Sequence, residues 1–214
     1  MSGVPIQSPV PTGRSTRKPK GEGHARRAEI LEAAERIFVE VGYDGATIRR
    51  IADEVGLSST ALYMHFPEKS AILHEICEGA FGRLQAANAT ILAEGGPAEV
   101  KLRRLMEGYV DFGFANPNAY RLIYLTRPVE AREGADSASQ RLGGELYRAF
   151  EALIEEVGAA GGLRGDVRAT AQTLWAGAHG IVSLMITKPY FDWVDRQVLT
   201  RTMMDALFAG LLKS

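Results

Sequence analysis

The chain has 214 residues, of which 46% are hydrophobic and 24% are charged, and its formal net charge is −1. This composition supports a buried core and argues against a chain that is disordered throughout. The single cysteine, Cys77, excludes an internal disulfide and is typical of a cytoplasmic protein. The chain shows no secretory signal, phosphate-binding glycine loop, nucleophile elbow or catalytic carboxylate pair, so we expect neither an enzyme nor a bound cofactor.

The first 22 residues are rich in proline, glycine, serine, threonine and basic residues, with almost nothing to bury. This composition predicts a disordered arm. Residues 1–27 carry six basic side chains against one acidic side chain, whereas residues 28–75 carry four against nine. The arm either supplies positive charge to an anionic partner or is an inert tail, and the sequence does not separate the two interpretations.

A first helix is predicted from about His24 to Val41, where apolar residues recur at helical spacing. Gly42 ends this helix, and residues 43–45 form a turn. Thr47 is then a suitable N-cap for a second helix, because its hydroxyl can accept a hydrogen bond from a backbone N–H. The pattern therefore predicts a short helix that starts directly after a tight turn.

Residues 47–66, TIRRIADEVGLSSTALYMHF, contain two short helical patterns joined at Gly56. Gly56 can take the left-handed backbone that ends a helix, and Ser58 can cap the next one. A small residue where the helices touch, Ala52, a glycine at the bend and an apolar residue on the second helix, Leu62, are typical of a helix-turn-helix. The second helix of that motif enters the DNA major groove. The alternative is a helical hairpin inside an ordinary all-α core.

The outward side chains of the second helix are suited to DNA. They offer hydroxyls and a ring nitrogen, without an acidic group, on Ser58, Ser59, Thr60, Tyr63 and His65. Short hydroxyls bind base edges and phosphates, and a tyrosine hydroxyl binds a phosphate oxygen. The N–H groups beside Thr47 can hold a phosphate, and Arg49 or Arg50 can pair with another. The basic arm would follow the phosphate backbone or enter a minor groove.

The segment from about Ala25 to Ile76 resembles the N-terminal domain of the TetR (tetracycline-repressor) family of bacterial regulators. The run LYMHFPEK, from Leu62 to Lys69, is the most diagnostic part of this resemblance. The resemblance implies that residues at the positions of Thr47, Tyr63, His65 and Lys69 contact backbone phosphates. Met64 departs from the pattern, because many relatives have a polar or basic residue there, and a DNA contact at Met64 is not expected.

Helices 4 to 9 are predicted from the apolar pattern, with breaks at glycine and proline. Helix 4 opens at Pro67 and Glu68, and Asp166 caps helix 8. The predicted spans are 67–92, 98–115, 118–126, 137–157, 167–187 and 192–212, with a loop over 127–136. The predicted fold is all-α, with about nine helices. It comprises a basic arm (1–22), a helix-turn-helix domain (23–70) and a ligand-binding and dimerisation domain (71–214).

Helix 8 approaches the length of a membrane span, and residues 169–187 carry no formal charge. Its hydroxyl, amide and histidine side chains favour a helix buried in a soluble bundle or at a subunit interface. Helix 9 has a stripe that permits close approach, formed by Leu199, Met203, Ala206, Leu207, Gly210 and Leu211. In the TetR family the last two helices pair subunits, so the resemblance implies a homodimer through helices 8 and 9. Two-fold symmetry predicts a palindromic operator with half-sites about 34–36 Å apart or more.

Helices 5, 6 and 8 concentrate large side chains, several with polar tips, as small-molecule sites do. The predicted ligand pocket consists of Tyr109, Phe112, Tyr120, Tyr124, Trp175, His179, Val182 and Met185. The alternative for these residues is ordinary core, with His179 a satisfied buried histidine. The run LWAGAHG, residues 174–180, resembles the Trp-plus-His-Gly element of one branch of TetR C-terminal domains.

A metal site is not expected. His74, Cys77 and Glu78 lie within about one helical turn, but three mixed ligands on one helix, without a partner cluster, favour a plain packed cysteine.

The resemblance implies a cytoplasmic transcriptional regulator, a repressor that a small apolar or amphipathic effector releases from double-stranded DNA. One rival hypothesis is an α-helical ligand-binding protein or enzyme whose hairpin is only structural. Another is a regulator that has no ligand and acts through protein contacts. The sequence does not identify the operator, the effector or the regulated genes, nor does it separate repression from activation.

Overall fold

A computed structural model describes residues 22–125 and 138–213 of the chain. These residues form nine α-helices and no strand beyond an isolated bridge between Leu163 and Leu212, which confirms the all-α prediction. The helices are α1 (Glu22–Gly45), α2 (Ile48–Glu54), α3 (Ser59–Tyr63), α4 (Lys69–Ala93), α5 (Ala98–Ala115), α6 (Pro117–Tyr120), α7 (Ala138–Ala159), α8 (Val167–Thr187) and α9 (Arg196–Leu211). A π-helical turn, Arg121–Leu125, continues α6. In the described ranges no helix combines the length and apolarity needed to cross a membrane.

The predicted caps of the N-terminal helices are confirmed. Gly42, with φ of 75°, interrupts the helical backbone of α1. The Thr47 hydroxyl accepts from the Arg50 N–H at 3.1 Å, and the Ser58 hydroxyl accepts from the Ala61 N–H at the same distance. Gly56, with φ of 67°, makes the turn between α2 and α3. These local hydrogen bonds and two glycines therefore set the lengths of the three helices.

Several helix boundaries differ from the predictions. Helix α4 begins at Lys69 with Glu68 as its N-cap, so Pro67 precedes the helix rather than opening it. Helix α9 begins at Arg196, because the Asp195 carboxylate accepts from two N–H groups of the first turn. The predicted helix over 118–126 is, over its described residues, a short α-helix followed by the π turn. The predicted loop over 127–136 and all of the predicted arm except Glu22 lie outside the described residues.

The core has two parts that α4 connects. In the first part, α1, α2 and α3 bury Phe38, Ile51, Leu62 and Phe66. Helix α4 packs against α1 on one side and against α5 and α7 on the other. In the second part, α8 packs against α5, α7 and α9. A continuous helix therefore joins the helix-turn-helix to the larger bundle.

Two glycines allow α8 to approach its neighbours closely. A Cβ added to Gly113 of α5 would lie 2.4 Å from Val182 Cγ1 of α8. A Cβ added to Gly177 of α8 would lie 2.8 Å from Leu207 Cδ1 of α9. Both distances are shorter than van der Waals contact. A methyl group at Gly113 would meet the buried, β-branched Val182 side chain, whereas one at Gly177 would displace the ends of the flexible Leu207 and Met203 side chains.

Gly113→Ala should destabilise the fold by about 1–3 kcal/mol, because the added methyl overpacks the contact with the buried Val182 side chain. Gly82→Ala is the matched control, since Gly82 is exposed on α4 with no atom near its Cβ position. It should stabilise the protein by about 0.5–1 kcal/mol through helix propensity. Urea denaturation measures both changes, and equal midpoints for the two variants would contradict the close packing of α5 on α8.

Candidate nucleic-acid interface

A shallow groove of about 470 Å³ lies where α2, α3 and α4 begin. It is lined by Ala46, Thr47, Ile48, Arg49, Ser59, Tyr63, Pro67, Glu68 and Lys69. Five of the eight residues predicted to contact DNA therefore meet at one concave surface: Thr47, Arg49, Ser59, Tyr63 and Lys69. Tyr63 is the most prominent of the α3 side chains in this groove, with 51% of its surface exposed.

The other three predicted contact residues lie outside this groove. Ser58 caps α3, so its hydroxyl oxygen already accepts a hydrogen bond. Thr60 is exposed on α3. His65 follows α3 and is half-buried, and its carbonyl oxygen accepts from Arg27 Nη1 at 2.6 Å. Of these three residues, Ser58 and Thr60 are exposed, and the Ser58 hydroxyl is engaged in the cap.

Lys69 has a structural role that its sequence position did not reveal. Its ammonium donates to the carbonyl oxygens of Tyr43 at 2.5 Å and Ala46 at 2.9 Å. It also lies 4.2 Å from the centre of the Tyr43 ring, where a cation–π interaction is favourable. Since an ammonium has three N–H bonds, one N–H remains for a phosphate.

Acidic side chains pair with most of the basic groups in residues 28–75. Arg36 contacts Glu54 at 3.2 Å, and Arg50 contacts Glu40 at 2.9 Å. Arg49 is only 3.9 Å from Asp53, and 86% of its side chain is exposed. Among the described residues of this segment, Arg49 is thus the guanidinium most available to a phosphate.

In the larger bundle, five predicted pocket residues form one aromatic and hydrogen-bonded cluster. The Tyr120 hydroxyl lies 2.6 Å from His179 Nδ1 and 3.0 Å from the Tyr109 hydroxyl. Trp175 Nε1 donates to the Tyr109 hydroxyl at 3.3 Å. The Tyr124 ring packs against Tyr120 at 4.7 Å and against His179 at 5.5 Å. We call these five residues the Tyr–His cluster.

The Tyr–His cluster is uncharged at neutral pH. Burial raises the pKa of Tyr109, Tyr120 and Tyr124 well above the usual range of a phenol. Burial also lowers the pKa of His179, because desolvation disfavours imidazolium. The cluster therefore presents neutral hydrogen-bonding groups and aromatic faces.

The other three predicted pocket residues are placed differently. Val182 is fully buried against Gly113, Phe112 is buried, and Met185 is half-buried against the core. Sequence reasoning missed Tyr147 of α7, whose ring lies 5.8 Å from Trp175. Only tertiary packing brings α7 to the cluster, so no local pattern signals this contact.

Two of the three residues considered as a metal site contact each other, and the third is buried. His74 Nε2 lies 3.2 Å from Glu78 Oε1, and Cys77 is buried. Over residues 22–125 and 138–213 no group of three His, Cys, Asp or Glu side chains has the arrangement of a metal site.

Two family models match the chain. The model described as bacterial regulatory proteins of the tetR family matches residues 30–76, and the model described as a tetracyclin repressor-like C-terminal domain matches residues 102–207. The first covers the helix-turn-helix and the beginning of α4. The second covers most of the larger bundle, including the Tyr–His cluster. The N-terminal and C-terminal parts of the chain therefore match the two domains of one kind of regulator.

Similar proteins agree with these matches. The chain is 41% identical over 75 residues to the HTH-type transcriptional repressor AcnR of Corynebacterium diphtheriae, covering 35% of this chain and 37% of that protein. It is 32% identical over 124 residues to the HTH-type transcriptional activator FasR of Mycolicibacterium smegmatis, covering 56% and 55%. The matches thus span about half or less of these relatives' length.

A solved structure extends the likeness of fold to nearly the whole chain. The ketosteroid transcriptional regulator KstR2 of Mycobacterium tuberculosis superposes with a TM-score of 0.72 at 21% identity, covering 88% of this chain and 96% of that one. At this identity the comparison concerns the fold alone. The two family models, which together match more than half of the chain, show that the chain belongs to the TetR family of bacterial regulatory proteins.

Proposed function

We propose that this protein is a transcriptional repressor. It binds a palindromic operator as a homodimer, and a small apolar or amphipathic effector releases it. The observation that carries the proposal is the groove in which Thr47, Arg49, Ser59, Tyr63 and Lys69 meet, on a chain of the TetR family. The relative AcnR is named a repressor and FasR an activator, so transcription in vitro from the bound promoter decides the direction. A rise in transcript would contradict repression.

In this proposal some side chains contact bases and others contact phosphates. With α3 in the major groove, Ser59 and Thr60 face base edges, where hydroxyls donate and accept hydrogen bonds. Tyr63 and Arg49 line the groove and bind phosphate oxygens on either side of α3. Thr47 orients the first N–H groups of α2 at the same surface, and the remaining N–H of Lys69 adds a donor. His65 and Ser58 hold α3 in place through hydrogen bonds at its two ends rather than reaching toward the DNA.

Tyr63→Phe should weaken operator binding roughly 5- to 10-fold, because it removes one hydrogen bond to a charged phosphate. It should leave the salt dependence unchanged, since no charge is lost. Tyr190→Phe is the matched control, as Tyr190 is 79% exposed in the turn after α8, outside the groove. Gel shift with the DNA upstream of the protein's own coding region measures both affinities. Equal binding by the two variants would contradict the phosphate contact of Tyr63.

We propose that the homodimer forms through α8 and α9. Met203 and Leu207 of α9 pack on the protomer's own α8 at Gly177, which leaves Ala206 and Gly210 exposed. On α8, Leu184 is 49% exposed. Exposed small and apolar residues on two adjacent helices allow a second pair of helices to pack closely, as in a four-helix interface.

Leu184→Arg should shift the protein from dimer to monomer, because the interface would have to bury an unpaired guanidinium. Met64→Arg provides the control, since Met64 is an exposed apolar side chain at the end of α3, far along the chain from α8. Sedimentation equilibrium reports the masses. A Leu184→Arg protein that dimerises as tightly as the Met64→Arg protein would place the interface elsewhere.

We propose that the effector binds at the Tyr–His cluster, which contains Trp175 and His179 of the predicted Trp-plus-His-Gly element. Its neutral, largely aromatic groups fit an uncharged amphipathic molecule. To release DNA, the effector must bind the DNA-free conformation more tightly than the DNA-bound one, and DNA must weaken effector binding by the same factor.

A thermal-shift screen of uncharged hydrophobic compounds should find one that raises the melting temperature and reduces operator binding, since a ligand of the native state stabilises it. Trp175→Leu should reduce that stabilisation, because Trp175 belongs to the cluster and is 40% exposed. Trp193→Leu, the same change in the turn after α8, should not. Stabilisation without loss of DNA binding, or equal shifts in the two variants, would contradict the proposed pocket.

A further inference from the structure

Arg27 of α1 contacts α4 and the residues that follow α3, and DNA recognition would depend on all three of these elements. Its Nε donates to Glu75 of α4, at 2.8 Å from Oε1 and 3.0 Å from Oε2. Its Nη2 donates to the same carboxylate. Its Nη1 donates to the carbonyl oxygen of His65, and its guanidinium lies 4.0 Å from the centre of the Phe66 ring. One planar group therefore contacts α4 and the residues that follow α3 at once.

These contacts hold the C-terminal end of α3 in position. Helix α3 has only five residues, so its direction depends on the packing of the buried Leu62 and on the contacts at its two ends. Ser58 holds the first end by capping. His65 and the fully buried Phe66 follow the other end, and both contact Arg27. The guanidinium is in turn oriented by Glu75, because a carboxylate that accepts two parallel N–H bonds fixes the guanidinium plane.

Two simpler roles for this pair fit the structure less well. As a surface ion pair it would contribute little to stability, since 37% of the Arg27 side chain and 34% of the Glu75 side chain are exposed. As a phosphate contact, Arg27 would have to direct most of its five N–H groups outward, yet Nε, Nη1 and Nη2 each donate to a protein oxygen, which leaves two. The geometry is that of a support for a neighbouring element.

We propose that Arg27 and Glu75 form a positioning clamp that sets the orientation of α3 for operator recognition. The proposal rests on the proposed DNA-binding function. Because Glu75 lies on α4, which continues into the bundle of the Tyr–His cluster, a tilt of α4 moves Glu75 and, through Arg27, the carbonyl of His65. The clamp thus links a change in the bundle to α3, in addition to the contacts that Lys69 of α4 makes with the turn before α2.

Whether Glu75→Gln raises or lowers operator affinity tests the clamp. Removing a negative charge near DNA strengthens binding if only electrostatics matter. A weakened clamp instead lowers operator affinity, roughly 3- to 30-fold. It should not lower affinity for non-specific DNA, and it should leave the salt dependence of operator binding unchanged, because no phosphate contact is lost. Glu68→Gln, which removes the same charge from the groove, is the control and should tighten binding.

Arg27→Lys and the double variant complete the test, with gel shift and melting temperature measured for each full-length protein. Arg27→Lys retains the charge but loses the planar fork, so it should reproduce the loss seen with Glu75→Gln. The double variant should bind about as well as either single variant, because both remove the same interaction.

Three results would overturn the clamp alone, given a wild-type protein that binds the operator. These are tighter binding by Glu75→Gln, retention of full affinity by Arg27→Lys, and equal losses on operator and non-specific DNA. The last would mark a merely structural pair. A wild-type protein that retards none of its upstream DNA would overturn the proposed function, and the clamp with it.

Discussion

The hydrogen bonds from Lys69 to the carbonyl oxygens of Tyr43 and Ala46 hold the DNA-binding part together. Carbonyl groups in the turn between α1 and α2 carry partial negative charge. The Lys69 ammonium, at the first residue of α4, donates to two of them, one of which also accepts the Ala46 N–H. Since the start of α4 is thereby joined to the turn before α2, α4 belongs structurally to both parts of the molecule. A domain boundary drawn at residue 70 separates Lys69 from the helix that it begins.

The distribution of charge indicates which interactions carry DNA affinity. Arg36 and Arg50 pair with acidic partners, and Lys69 is engaged with backbone oxygens. The groove therefore offers mostly neutral donors, namely hydroxyls and backbone N–H groups, with Arg49 as its most exposed cation. Neutral donors give hydrogen-bond geometry and hence register on the duplex, whereas counterion release requires cations. A modest salt dependence is the physical consequence for this part of the chain.

The features predicted well from the sequence are those with local causes. The caps at Thr47, Ser58 and Asp166 and the turn at Gly56 each depend on residues a few positions apart, and the spacing of the apolar residues defines the helices around them. The structure also brings Tyr109, Tyr120, Tyr124, Trp175 and His179 together, and their role as a ligand site stays a prediction.

The features that escaped prediction involve contacts between distant residues. Nothing near Lys69 shows that its ammonium turns toward a carbonyl 26 residues earlier. The Arg27–Glu75 pair spans 48 residues, and neither residue departs from an ordinary amphipathic pattern. The π-helical turn after α6 likewise has no distinct signature, since its five residues, RLIYL, fit an α-helix equally well. Where two residues meet across helices, packing decides, and a single sequence does not contain that information.

The glycine contacts of α8 have a mechanical consequence. With Gly113 in close contact with the buried Val182 side chain, α8 has little clearance to move toward α5. Dense interiors resist compression, so α5 and α8 are expected to move as one rigid unit. Any rearrangement must then occur outside this rigid unit, above all in α4, the long helix that leads from the bundle to the groove.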